Sequence, residues 1–176
     1  MIFFSKLKIT LKNQVGFTLL ETMIALCITG VVAVSVVTTL YQLQSISNTH
    51  FARVMSVKQV ENAVFYLNRD VQQAQLVQTG VGGNWLTLTW TSWDSTQHQI
   101  TYSFANIVNN IGDLVRSDGT TTGTIAKNIN TSSSVTNASY DSGTHILALQ
   151  LTSTVKAGSK QATETRKLSV IPRPGS

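Results

Sequence analysis

Hydrophobic and polar positions divide the chain into three stretches. The first, GFTLLETMIALCITGVVAVSVV, runs from Gly16 to Val37, and the twenty residues Thr22–Tyr41 carry no charge. A helix of that length rises about 30 Å, which matches a hydrocarbon core. Backbone groups in lipid must bond within their own segment, so a lone span there is a helix. The second stretch, Tyr41 to Gln78, mixes polar residues with a regular stripe. Val57, Val60, Val64, Leu67, Val71, Ala74 and Val77 fall at steps of three or four. That spacing predicts one apolar helix face packed on a partner. No Gly or Pro interrupts residues 31–79, so the pattern predicts a helix that continues until Gly80, Gly82 and Gly83 stop it.

In the third stretch the period changes to two. Trp85, Thr87, Thr89 and Thr91 fall on one side of a strand, and Leu86, Leu88 and Trp90 on the other. DSTQ predicts a turn, HQITYSF a strand with Ile100, Tyr102 and Phe104 on one face, and NNIGD another turn. LVRSDGTTTGT reads as a short strand and a Gly-rich turn, and KNINTSSSVTNASYDSG as a polar loop enclosing a weak strand. THILALQLTSTV is the clearest strand, with Leu147, Leu149 and Leu151 on one face. ETRKLSVIPRP closes with a strand stopped by Pro172 and Pro174. A long helix followed by antiparallel strands is an α+β arrangement, the sheet burying one face on the Val57–Val77 stripe.

Charge adds an orientation. The net charge is +5, and Lys6, Lys8 and Lys12 precede Gly16 with no acid among them. Such a basic flank predicts a cytoplasmic N-terminus and an exported remainder. Beyond that leader ten basic residues face eight acids, so the high pI is no signature of a nucleic-acid partner. No small-residue cleavage site of the ordinary secretory kind follows the apolar run. Ser, Thr, Asn and Gln dominate the second half, as suits an extracytoplasmic β domain. Cys27, the sole cysteine, excludes an intrachain disulfide and reads as inert helix surface.

Glu21 stands at the front edge of the apolar run. One reading makes it a boundary residue among lipid headgroups. The other starts from cost: a carboxylate near an apolar zone calls for a partner, and no nearby helix residue carries a charge. A cut after Gly16 would place a new amine on Phe17, about one helical turn from Glu21.

These residues carry a resemblance. VGFTLLE, Val15 to Glu21, resembles the class III signal of type IV pilins and type II secretion pseudopilins. A short basic leader, Gly before the cut, an aromatic first mature residue and Glu at the fifth mature position all fit that pattern. The resemblance implies cleavage between Gly16 and Phe17 by the prepilin peptidase, then N-methylation of Phe17. It also implies that Glu21 aligns incoming subunits by pairing with a neighbour's N-terminus. The helix-then-sheet order is similar to that of the same group. YLNRDVQQA, Tyr66 to Ala74, and the strand order resemble the J-type pseudopilins and the W-type minor pilins. The single cysteine departs from the disulfide-closed major pilins. The scattered Asp113, Asp118 and Asp141 depart from the calcium loop of G-type pseudopilins. Both departures favour a minor subunit.

Catalytic signatures are missing. His50, His98 and His145 are far apart, with no cysteine or carboxylate at metal spacing. Gly80–Gly83 reads as a helix stop rather than a phosphate cradle. Lys58, Glu61 and Asp70 read as a solvated helix face. Trp85, Trp90 and Trp93 offer surfaces for stacking on sugars or bases, though Trp90 shares its parity with the core leucines. Lys160, Arg166, Lys167 and Arg173 form a basic end that reads as a solvated strand face or as a contact for DNA phosphates.

The expectation is therefore non-enzymatic, without metal or cofactor. Residues 1–16 form a leader removed by the peptidase, 17–41 a transmembrane and assembly helix, 42–79 its amphipathic continuation, and 80–176 an extracytoplasmic antiparallel β domain. The resemblance implies a minor pilin or pseudopilin anchored in the inner membrane, joining other subunits through its N-terminal helix in a filament-priming tip complex. Two alternatives stand beside it: a filament-displayed module binding glycan or nucleic acid, and a plain signal-anchored domain.

Overall fold

The computed structural model describes residues 16–173. Lys6, Lys8, Lys12 and Pro174, all used in the sequence reading, lie outside the described residues. The chain divides into two units, Met1–Gln44 and Ser45–Ser176. One helix, α1, spans Leu19–Gln73, 55 residues in all.

In the first unit α1 is apolar all round, and its described side chains are exposed. Leu19 is 81% exposed, Leu26 77% and Val34 68%. The serine and threonine hydroxyls from Thr22 to Thr39 close on the helix's own backbone. Thr29 Oγ1 donates to Ala25 O at 2.7 Å, Ser35 Oγ to Val31 O at 2.9 Å and Thr38 Oγ1 to Val34 O at 2.7 Å. Each hydroxyl proton thus has an acceptor without water, as a lipid environment requires. The helix is long and apolar enough to cross a membrane. A helix that is hydrophobic on every side needs lipid or other helices around it.

In the second unit α1 buries Ala52, Ser56, Val60, Ala63, Leu67, Asp70 and Val71. Val57 and Val64 of the expected stripe are only half-buried. The helix ends at Gln73, six residues short of the expected 79, and β1 occupies Leu76–Thr79. The stop needs no glycine, because the sheet supplies competing partners. Gln75 N donates to Thr89 O at 2.9 Å, and Gln75 Oε1 accepts from Thr91 N at 2.9 Å. Ala74 and Val77 are buried as the stripe predicts, but from the connection and from β1. The β region accordingly begins at Leu76 rather than residue 80.

The remaining strands are β2 (Leu86–Thr91), β3 (Gln97–Val108), β4 (Ile111–Ser117), β5 (Thr122–Asn130), β6 (Asn137–Asp141), β7 (Ile146–Ala157) and β8 (Lys160–Val170). All pairings are antiparallel, in the order β1-β2-β3-β4-β5-β7-β6, with β8 also on β7. One edge of β7 carries β8 along its length; the other is shared by β6 and, at Ser153, by β5. The sheet curls so that β1 approaches β6.

Two segments differ from the sequence reading. Only Asn109 and Asn110 of NNIGD form the turn, with φ of 51° and 62°, the two left-handed residues of a type I′ hairpin. The residues after them enter β4, where Gly112 lies so close to β3 that a Cβ would stand 2.8 Å from Ala105 O. KNIN belongs to β5 rather than to a loop.

The core joins α1 to the sheet. Val60, Ala63, Leu67 and Val71 meet Leu86, Leu88, Ile100, Tyr102, Leu114, Ile129, Leu147, Leu149 and Leu151, all essentially buried. Each large side chain hidden this way contributes about 1.5–3 kcal/mol against exposure. The arrangement is the expected α+β one: a long helix packed on an antiparallel sheet.

Candidate functional site

The processing residues stand at the start of the described chain. Gly16 is exposed with open space around its Cα, and Phe17 is 85% exposed. Thr18 caps α1: its Oγ1 accepts from Glu21 N at 3.2 Å. Glu21 reciprocates, its Oε2 accepting from Thr18 N at 2.9 Å and Thr18 Oγ1 at 3.1 Å. This is a capping box, with Thr at the cap and Glu three residues on. The T-x-x-E spacing that encodes it is visible in the sequence, and it gives Glu21 a capping role beside the two expected of it, boundary residue or assembly acid. Glu21 also sits at the positive end of the helix dipole, which favours its charge. Among the described residues no cation pairs with it.

A second constellation was read wrongly from sequence. Asp70 is not on a solvated face but 1% exposed. Its Oδ2 accepts from Tyr102 Oη and from Arg116 Nε, both at 2.6 Å, and its Oδ1 from Arg69 Nε at 3.1 Å. Arg69 also lies over the Tyr66 ring, 5.1 Å from its centroid. Burial and the Asp70 carboxylate push the Tyr102 phenol far above its usual range. Burial pulls the Arg116 guanidinium down, but hydrogen bonding and charge from Asp70 outweigh it and leave its pKa raised. Both shifts hold the proton on the phenol and on the guanidinium, and the cluster clasps helix to sheet. A signal existed: Asp70 follows Leu67 by three on the buried stripe, Tyr102 shares parity with Ile100, and Arg116 with Leu114.

The other candidates are dispersed. Asp113 accepts from Asn106 Nδ2 at 3.0 Å, while Asp118 and Asp141 each close their own turn. Among the described residues no three His, Cys, Asp or Glu side chains gather as metal ligands. His98 stacks on Trp90 at 5.3 Å, and His145 Nδ1 lies 3.2 Å from Tyr140 Oη. Lys58 and Glu61 are exposed, and Cys27 is exposed on the apolar helix. The three tryptophans part company. Trp85, opposite in parity to Leu86 and Leu88, packs on Phe104 at 5.6 Å with its Nε1 buried. Trp90 is half-buried and Trp93 is 98% exposed, and these two line one cleft with Arg173. Arg166 and Lys167 border a different cleft beside Glu61 and Phe65, so the basic end is not one patch.

No known family model matches the chain, and comparison with curated proteins and with solved structures gives no match either.

Proposed function

We propose that the chain is a minor pilin or pseudopilin, a non-enzymatic subunit of a type IV pilus or type II secretion pseudopilus. One observation carries the reading: the Gly16-Phe17 junction, with Glu21 at the fifth position after it, leads directly into a helix apolar on every side. In this reading the prepilin peptidase cuts between Gly16 and Phe17, Phe17 is methylated, and the helix anchors in the inner membrane with the β domain outside. Assembly then buries the exposed Phe17–Val37 surface among like helices. The new Phe17 amine forms one residue from Thr18, whose N–H already reaches Glu21, so the acid meets a cation either in its own chain or from a neighbour.

Intact-mass and N-terminal analysis of protein co-expressed with the peptidase tests this. The expected product begins at methylated Phe17. A product retaining residues 1–16, or starting elsewhere, overturns the assignment and leaves a plain signal-anchored domain.

A further inference from the structure

We infer that the cleft between the end of α1 and the β2–β3 hairpin binds a saccharide bearing a carboxylate. The inference does not rest on the pilin reading. The cleft has a volume of about 520 Å³, within the range of small-ligand sites. Trp93 projects from the hairpin turn almost wholly into solvent, a costly position for so large an apolar ring. Trp90 supplies a second indole, steadied by its stack on His98 at an interplanar angle of 20°. Gln72 and Gln73 of the last turn of α1, Ser92 of the hairpin and Arg173 line the same cleft.

The set has the chemistry of sugar recognition. Indole faces cover the C–H face of a pyranose, and amides, which donate and accept, bridge its adjacent hydroxyls. A guanidinium holds a carboxylate by two parallel hydrogen bonds. Among the described residues Arg173 has no carboxylate partner. A nucleic-acid strand is the poorer fit, since its backbone needs a track of cations and the cleft holds one.

The test uses full-length protein in a detergent without a sugar headgroup, titrated with an oligoglucuronate, its neutral oligoglucose counterpart and a single-stranded oligonucleotide. Tryptophan fluorescence and calorimetry report binding. The glucuronate is expected to bind more tightly than the neutral sugar. Trp93→Ala is expected to weaken both by about tenfold. Arg173→Gln is expected to erase the preference for the carboxylate while leaving neutral binding in place. Both side chains are exposed, so the near-ultraviolet circular dichroism of the remaining aromatics checks that the fold is intact. Absence of glucuronate binding, binding indifferent to Trp93→Ala, or tighter salt-sensitive binding of the oligonucleotide overturns the inference.

Discussion

Replacing Asp70 with alanine tests whether the buried carboxylate fastens the helix to the sheet. The change strands a fully buried phenol and takes the short ion pair from an Arg116 side chain that is only 19% exposed, leaving it Asp118 at 3.8 Å. Removing one partner of a buried pair costs about 3–5 kcal/mol, mostly because the other charge stays buried. Arg69 adds little, since its side chain is 46% exposed and remains solvated. Tyr102→Phe removes one donor and leaves the carboxylate two, so about 1–2 kcal/mol is expected. At roughly 3–5 °C per kcal/mol for a unit of this size, Asp70→Ala lowers the thermal midpoint by on the order of 10–20 °C. The three tryptophans all lie in residues 45–176, so the tryptophan bands of the near-ultraviolet circular dichroism of the full-length protein follow this unit. A double-mutant cycle with Arg116→Met is expected to return a coupling of about 1–3 kcal/mol. If Asp70→Ala proves no more damaging than Tyr102→Phe, the clasp argument fails.

Further outcomes follow from local geometry. The Thr121 N–H, the Thr120 and Thr121 hydroxyls and the Thr120 N–H hold the Asp118 carboxyl well below the ordinary aspartate range. A lowered folded-state pKa stabilises above the unfolded value of about 3.9, and that contribution disappears as pH falls through the folded value. The stability gap between wild type and Asp118→Ala, measured by denaturant titration, is therefore expected to be full at neutral pH and to close only in strong acid. Gly112→Ala places a methyl against the Ala105 carbonyl, a backbone atom with little room to yield, and is expected to cost about 1–3 kcal/mol in the same assay. Leu67→Ala empties a fully buried site between helix and sheet, and a loss of about 2–5 kcal/mol is expected.

Regular periodicity was readable wherever backbone geometry stayed regular. ITYSF and ILALQL alternate along unbroken ladders, and Ile100, Tyr102, Leu147, Leu149 and Leu151 are buried as the alternation predicts. β5 escaped because its apolar residues, Ile125, Ala126 and Ile129, do not alternate. Asn128 in that strand has a φ of 57°, and the β4–β5 register shifts between Gly112 and Val115. An irregular strand erases the period-two signal. The end of α1 escaped for the opposite reason. Ala74 and Val77 fit the helical spacing by position, yet the competing partners for Gln75 come from β2, which local pattern does not reveal. The Asp70 cluster joins residues 32 and 46 positions apart, so charge alone suggested solvent where the fold supplies partners.

Glu21 separates two roles that one residue combines. Its hydrogen bonds to Thr18 explain why an acceptor stands at the third helical position, but glutamine fills that role in the same motif. The cap therefore does not require a charge. The helix dipole returns only about 0.3–1 kcal/mol for one, whereas a carboxylate carried to the centre of a bilayer costs about 2.5–3.5 kcal/mol. Residue 21 borders the charge-free run instead, so its cost is smaller, but the dipole and cap alone give no reason for preferring Glu over Gln. Under the proposed function an ionic partner supplies that reason. Glu21→Gln is therefore expected to keep the helix start, read by backbone amide exchange of Leu19–Thr22, while losing capture of other filament subunits in a detergent pull-down. Thr18→Ala is expected to do the reverse: it frays the first turn, at a cost of about 1 kcal/mol, yet retains capture. Normal capture by Glu21→Gln would mean that the carboxylate serves the cap alone and that register is set by packing of the apolar helix surface.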